Sequence, residues 1–236
     1  MNCMADFTFY TAPTANGYKV SIALEELELD YLVRYLKFEQ NEQKSKAFLS
    51  LNPNGRIPVI VDHTADDYVL AESGAILLYL AERSGRLLPT DIYLRYQVVQ
   101  WLMFQMSGIG PMMGQAMFFQ RIAAPKGIVS EYATKRYIKE SRRLLEIIDH
   151  QLKGRHYLCG EYSVADIATF PWARSHRWGN IDVSDLGYLL AWFDRIESRE
   201  AVKRGVRVPT GRYPIAFERD SDLVQATQRN SEKYEA

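Results

Sequence analysis

Cysteine is scarce in this chain of 236 residues: only Cys3 and Cys159 occur, far apart and outside any CxxC pair. That spacing excludes a disulfide framework and a dithiol redox motif, and predicts a reducing compartment. The four histidines, His63, His150, His156 and His176, stand at no metal-ligand spacing, and with no HExxH or Cys/His cluster no metal is indicated. A Walker loop is missing, as is a GxGxxG after a strand, so nucleotide and dinucleotide cofactors lack support. No run of about 18 apolar residues occurs. The opening Met1-Asn2-Cys3-Met4-Ala5-Asp6 lacks the basic start and apolar stretch of a signal peptide. A soluble, cytoplasmic protein with no membrane partner is therefore expected. Charge of one sign is also absent in excess, with Lys plus Arg at 29 and Asp plus Glu at 29, which argues against a nucleic-acid partner. What is plentiful is core material: 47% of residues are apolar, in a length that suits one large domain or two small ones.

The pattern of that material changes once along the chain. Residues 7–10 read as a strand, 19–29 as a helix with Val20, Ala23, Leu24 and Leu27 on one face, and 30–37 as a second strand. Residues 57–62 and 68–70 add two strands around the polar turn 63–67, and 73–84 a closing helix. This βαβ-ββα order predicts one mixed sheet flanked by helices over residues 6–88, an α/β unit. After Gly85-Arg86-Leu87-Leu88-Pro89-Thr90 no clear strand signal follows, which predicts an all-helical domain over 91–208 and a loosely packed polar tail over 209–236. Within it, 91–121 should form a long helix bent at Ser107-Gly108-Ile109-Gly110-Pro111. Residues 132–152 and 186–196 should be further helices, and 163–172 one opened by a Ser163/Asp166 capping box.

Chemistry concentrates at three places in the first domain. Asn54-Gly55-Arg56-Ile57-Pro58-Val59 opens a strand on proline, which belongs at a strand edge or in a tight, possibly cis, turn and leaves the Ile57 backbone free. Glu72-Ser73 stands at the mouth of an apolar helix, where spare N–H donors suit a carboxylate. Alone, the pair reads as an acidic residue beside an N-cap serine. The loop from Tyr10 to Lys19 joins strand to helix; on its own, Asn16 is a good N-cap and Thr14 an ordinary turn residue.

Taken together, the segments TAPTANG (11–17), NPNGRIPVIVD (52–62), AESGAILLYLAE (71–82), GIGPMMGQ (108–115) and YSVADIA (162–168) resemble the Nu-class glutathione transferases. The resemblance implies a thioredoxin-like domain that holds glutathione, followed by a helical domain. It places Thr14 and Asn16 at the glutathione sulfur, with Tyr10 as the rival catalytic residue. Glu72 and Ser73 fall at the γ-glutamyl end, Ile57 at the cysteinyl main chain, and Gln43 and Arg56 at the glycyl end. Arg136 maps onto an arginine that reaches the site from the other subunit of a homodimer, and the bend at 107–111 onto the wall of the second-substrate pocket. Arg174, His176, Arg177 and Trp178 are further candidates for the open side of that pocket, although a solvated helix end explains them equally well. The implied activity is attack by the glutathione thiolate on a disulfide or organic hydroperoxide. Conjugation to electrophiles and a non-enzymatic glutathione-binding regulator are the alternatives, because this superfold hosts all of these roles.

Overall fold

The computed structural model describes residues 5–217. Its sheet has four strands in the order β2-β1-β3-β4. The apolar run of β1 (Phe7–Thr11) lies parallel to β2 (Tyr31–Tyr35), with Phe7 opposite Tyr31, and the crossover that parallel pairing demands is helix α1 (Ala15–Glu26). β3 (Val59–Asp62) runs antiparallel to β1, and β4 (Tyr68–Ala71) returns beside β3 across the polar turn. Phe7, Phe9 and Ile60 of the sheet, Val20, Ile22 and Leu24 of α1, and Ile76, Leu77 and Leu80 of the closing helix, here numbered α3 (Ser73–Ser84), are all fully buried. The expected mixed sheet is thus present, and its core side is formed by α1 and α3 lying against one another.

Local detail departs from the sequence pattern at helix ends. Helix α1 starts at Ala15 rather than Lys19, because Thr14, not Asn16, is its N-cap: the Thr14 hydroxyl oxygen accepts from Gly17 N at 3.2 Å. The short α2 (Lys46–Leu51), capped by Ser45, was invisible to periodicity because six residues span less than two turns.

The helical half begins with α4 (Ile92–Phe104), whose cap Asp91 accepts from Tyr93 N and Leu94 N at 3.1 and 2.9 Å. At the expected bend the helix passes through a π-helical turn, Gln105–Ile109, and runs directly into α5 (Gly110–Phe118), with Pro111 just after the π turn. A second π turn, Phe119–Ala123, follows, and α6 (Glu131–Leu152), α7 (Val164–Arg174) and α8 (Gly187–Glu197) lie close to their expected spans. The capping box opens α7 as anticipated, with Asp166 Oδ2 accepting from Ser163 N at 3.1 Å and Ser163 Oγ from Ala165 N at 3.3 Å.

A short α9 (Glu200–Gly205) went unanticipated and locks the halves together. Ser21 of α1 donates to the Gly205 carbonyl at 2.7 Å, and a Cβ on Gly205 would lie 2.7 Å from Ile22 Cα, so only glycine allows that approach. Arg199 holds Glu26 through bonds of 2.6 and 2.8 Å beside it. The segment after Pro209 does not fray as expected, at least as far as Phe217. That ring is buried at 5.7 Å from Tyr18 and 5.8 Å from Phe170, because an aromatic side chain at the end of a polar stretch still has a core to join. The rest of the expected tail, 218–236, lies outside the described residues, as does Cys3. Among the described residues no helix is long and apolar enough to cross a membrane.

Candidate glutathione site

The loop between β1 and α1 is drawn tight by Gly17, where a Cβ would meet the Ala12 carbonyl at 2.4 Å and Thr11 Oγ at 2.5 Å. Thr14 and Asn16, both half-buried, stand at the positive end of α1. With its oxygen engaged by Gly17 N, the Thr14 hydroxyl keeps its own hydrogen free to donate. Asn16 lies in the first turn of the helix, and its Oδ1 accepts from the indole Nε1 of Trp172 on α7 at 2.9 Å. An indole nitrogen only donates, so the oxygen of the amide must face Trp172 and the NH2 group is presented on the other side. The start of α1 thus carries two neutral donor groups, the Thr14 hydroxyl and the Asn16 amide, beside the positive end of the helix dipole, and donors of that kind favour a thiolate over a thiol. Tyr10, the rival candidate, is half-buried in β1 with its ring 5.9 Å from Phe48.

The second group is the 52–58 loop. Asn52 accepts from Asn54 N at 3.1 Å and donates to the Arg56 carbonyl at 2.7 Å, folding the loop back on itself, with Gly55 at φ +62°. The Ile57–Pro58 bond is cis, the arrangement allowed for from the sequence. Among the described residues neither main-chain group of Ile57 pairs with other backbone, so an extended ligand could pair there. Gly55 brings the 42–44 turn against this loop: a Cβ on it would lie 2.9 Å from the Gln43 carbonyl and 2.7 Å from Lys44 Nζ. Gln43 and exposed Arg56 therefore belong to one neighbourhood, and Gln43 Oε1 is buried with no partner among the described residues. Lys44, a cation the sequence reading did not single out, also donates to the Asn54 carbonyl at 3.2 Å.

The third group is the start of α3. Glu72, rather than Ser73, occupies the N-cap position, with φ 70° and ψ 113° and no side-chain cap bond. A positive φ at a non-glycine residue costs on the order of 1–3 kcal/mol and clusters at ligand sites. Here it leaves the Glu72 carboxylate exposed while Ser73 is buried beneath it. Behind Ser73 stands a residue that sequence reasoning passed over as an ordinary helix position. Lys19 is 1% exposed, and its Nζ meets Gln105 Oε1 at 2.6 Å, Ser73 Oγ at 3.4 Å and Met106 Sδ at 3.5 Å. A basic residue three places after Asn16 was the only available signal, and periodicity alone does not reveal a buried cation.

Other candidates fall elsewhere. Arg136 is exposed on α6 and acts on Glu140. Arg174, His176 and Arg177 line a cavity of about 750 Å³ with Arg121 and Phe193, and none of Thr14, Asn16, Glu72 or Ser73 contributes to it. Arg174 is buried there in an ion pair with Glu197, and Trp178 lies under the Arg121 guanidinium. Burial pushes the Cys159 thiol up to about 12, so it holds almost no thiolate at neutral pH. No group of three or more His, Cys, Asp or Glu side chains among the described residues could hold a metal ion.

A four-stranded thioredoxin-like sheet with a cis-proline loop, joined to a helical domain, defines the class of protein. The chain belongs to the glutathione S-transferase family: the family's N-terminal domain matches residues 5–82 and its C-terminal domain residues 113–200. It is 42% identical over 197 residues to the disulfide-bond oxidoreductase YfcG of Escherichia coli, covering 81% of this chain and 90% of that protein. A glutathione transferase from Pseudomonas putida, solved with one glutathione disulfide bound per subunit, superposes with a TM-score of 0.83 at 42% identity, covering 89% of this chain and 94% of that one. Another from Burkholderia graminis, with two glutathione molecules bound per subunit, gives 0.82 at 42% identity over 87% and 89% of the two chains.

Proposed function

We propose that this chain binds glutathione across the starts of α1 and α3 and uses its thiolate to reduce disulfides, and organic hydroperoxides by the same attack. The observation that carries the reading is the Trp172–Asn16 bond, which turns the amide NH2 away from Trp172 in the first turn of a helix whose start contains no cysteine. Such a site has donors for a sulfur anion but no sulfur of its own. The α3 start and Ser73 receive the γ-glutamyl carboxylate and Glu72 its ammonium group, while Ile57 pairs with the cysteinyl main chain and Gln43 and Arg56 meet the glycyl end. The thiolate attacks one sulfur of a disulfide and expels the other as thiolate, which takes a proton from solvent. A second glutathione thiolate then resolves the mixed disulfide and leaves oxidised glutathione as product. The relatives solved with glutathione disulfide or with two glutathione molecules bound support room for both partners of that second step. We place this chemistry in the cytoplasm, where reduced glutathione is supplied.

Turnover measured side by side with a model disulfide, an organic hydroperoxide and an aryl halide tests the reading. Disulfide reduction should be fastest and should survive Cys159→Ser with less than about a twofold change, since a thiol held this far from ionisation contributes no nucleophile. Faster turnover of the aryl halide would replace reduction by conjugation as the activity, and no turnover of any of the three would leave a binding protein.

The assembly belongs to the same proposal: a two-fold homodimer, the commonest oligomer, in which Arg136 reaches the partner's glutathione carboxylate. Arg136→Ala should then weaken glutathione binding by about 1.5–3 kcal/mol, the worth of a charge-assisted hydrogen bond, without dissociating the dimer. Sedimentation as a monomer at micromolar concentration would defeat the assembly, and unchanged affinity in a dimeric variant would defeat the cross-subunit contact.

A further inference from the structure

Lys19 is a buried cation without a counter-ion in contact. All three atoms around its Nζ are neutral: an amide oxygen, a hydroxyl oxygen and a thioether sulfur. Of the elements packed around it, the π turn supplies Gln105 and Met106, and the α3 start supplies Ser73 and the carboxylate of Glu72, the one ionisable group that acts on it. Burying an ammonium group in such surroundings is costly. Burial lowers its pKa to about 7, with Glu72 opposing, so near neutrality the amine and ammonium forms are both populated.

The two forms differ in what they do to Ser73. An ammonium nitrogen has no lone pair and can only donate to Ser73 Oγ, which leaves the Ser73 hydrogen for another acceptor: Met106 Sδ at 3.9 Å in this structure, or a stronger acceptor docked at the helix start. A neutral amine can accept that hydrogen and so withdraw it from the site. The same nitrogen also spans the seam between the two halves of the fold, because Gln105 lies on the π turn of the helical half.

We propose that Lys19 is the positioning residue of the carboxylate end of the site: when a carboxylate docks at Ser73, Lys19 takes up a proton from solvent and, as ammonium, turns the Ser73 hydroxyl toward the ligand. The inference rests on the reading that the γ-glutamyl carboxylate of glutathione docks there. An anion placed beside the buried amine favours its charged form, and a ligand that binds the protonated state better must by linkage shift the proton equilibrium toward it. Affinity should accordingly fall as pH rises above about 7, by up to tenfold per pH unit until the raised pKa of the complex is reached.

The test is calorimetry with S-methylglutathione, whose blocked sulfur contributes no proton of its own, at pH 6 and pH 8 in two buffers of different ionisation enthalpy. Wild type should take up close to no proton at pH 6 and a substantial fraction of one at pH 8. Lys19→Met should bind at least about tenfold more weakly at pH 6 and show at pH 8 only the smaller uptake owed to the ligand's own amino group, whereas a merely structural lysine would leave the proton count unchanged. Wild-type binding with no uptake at pH 8, or uptake undiminished in Lys19→Met, overturns the role of Lys19 and leaves glutathione binding standing. The wild-type measurement alone decides the matter if the variant does not fold. Absence of binding to wild type at either pH overturns the glutathione reading and this inference with it.

Discussion

Asp166→Ala is expected to destabilise the fold by about 3–5 kcal/mol, a large loss for one side chain away from the candidate site. The carboxylate is fully buried and accepts from Leu158 N at 3.0 Å, Ser163 N at 3.1 Å, Ser163 Oγ at 3.2 Å and the Trp192 indole at 2.9 Å. Each buried donor left unpaired costs roughly 1–3 kcal/mol. The Ser163 hydroxyl can rotate to a new acceptor, but the two backbone N–H groups and the indole cannot. Relief of the burial penalty, which pushes this carboxyl up to about 6, offsets part of the loss. Asp166→Asn should recover less than half of the difference, because its NH2 group would face one of the remaining donors. Urea unfolding of the three proteins measures this. A loss under about 1 kcal/mol for the alanine variant would mean that the α7 start is held by its packing against Trp192 and not by the carboxylate.

The second large effect is kinetic. Thr14→Val combined with Asn16→Ala should lower kcat/KM for disulfide reduction by about two to three orders of magnitude. A hydrogen bond to a charged group is worth roughly 1.5–3 kcal/mol, and two that act on one sulfur do not add fully. Thr14→Val also removes the cap of α1, a stability cost of about 1 kcal/mol, so the rate should be taken well below the unfolding transition. Trp172→Phe tests orientation, since it keeps an aromatic ring while removing the donor that fixes the Asn16 amide, along with part of the indole packed at Gly114. It should slow the reaction by about tenfold, with the loss in kcat, because a freely rotating amide presents its oxygen part of the time and repels the thiolate. Full activity in the double variant would remove thiolate stabilisation from this loop and return attention to Tyr10.

The first half of the fold was legible because its signals are local. The strands alternate or run apolar over few residues, the cis-proline loop is marked by Asn54-Gly55 and Pro58, and the capping box of α7 is spelled out by Ser163 and Asp166. Besides the short α2 and α9, the departures fell at helix ends, where two residue types suited to capping stand close together. Thr14 and Asn16 could each cap α1, and the choice was made by Gly17, whose close approach to Ala12 places its N–H at Thr14 and leaves Asn16 inside the helix. At α3 the serine looked like the cap, but the chain enters the helix through Glu72 at positive φ, a backbone state that no residue identity there announces.

What the sequence by itself determined is the βαβ-ββα order and the change to helices after Pro89, because hydrophobic period, turn residues and helix-start chemistry are set by neighbours a few positions apart. The tertiary structure alone decided how those groups are aimed and charged. The Asn16 amide is turned by Trp172, 156 residues further along the chain, and Lys19 is stripped of water by Ser73, Gln105 and Met106, which come from the other end of the domain and from the helical half. Orientation of a symmetric-looking amide and the protonation of an amine depend on which donors surround them and how much water is excluded. Both are properties of packing between distant segments, which no local spacing encodes.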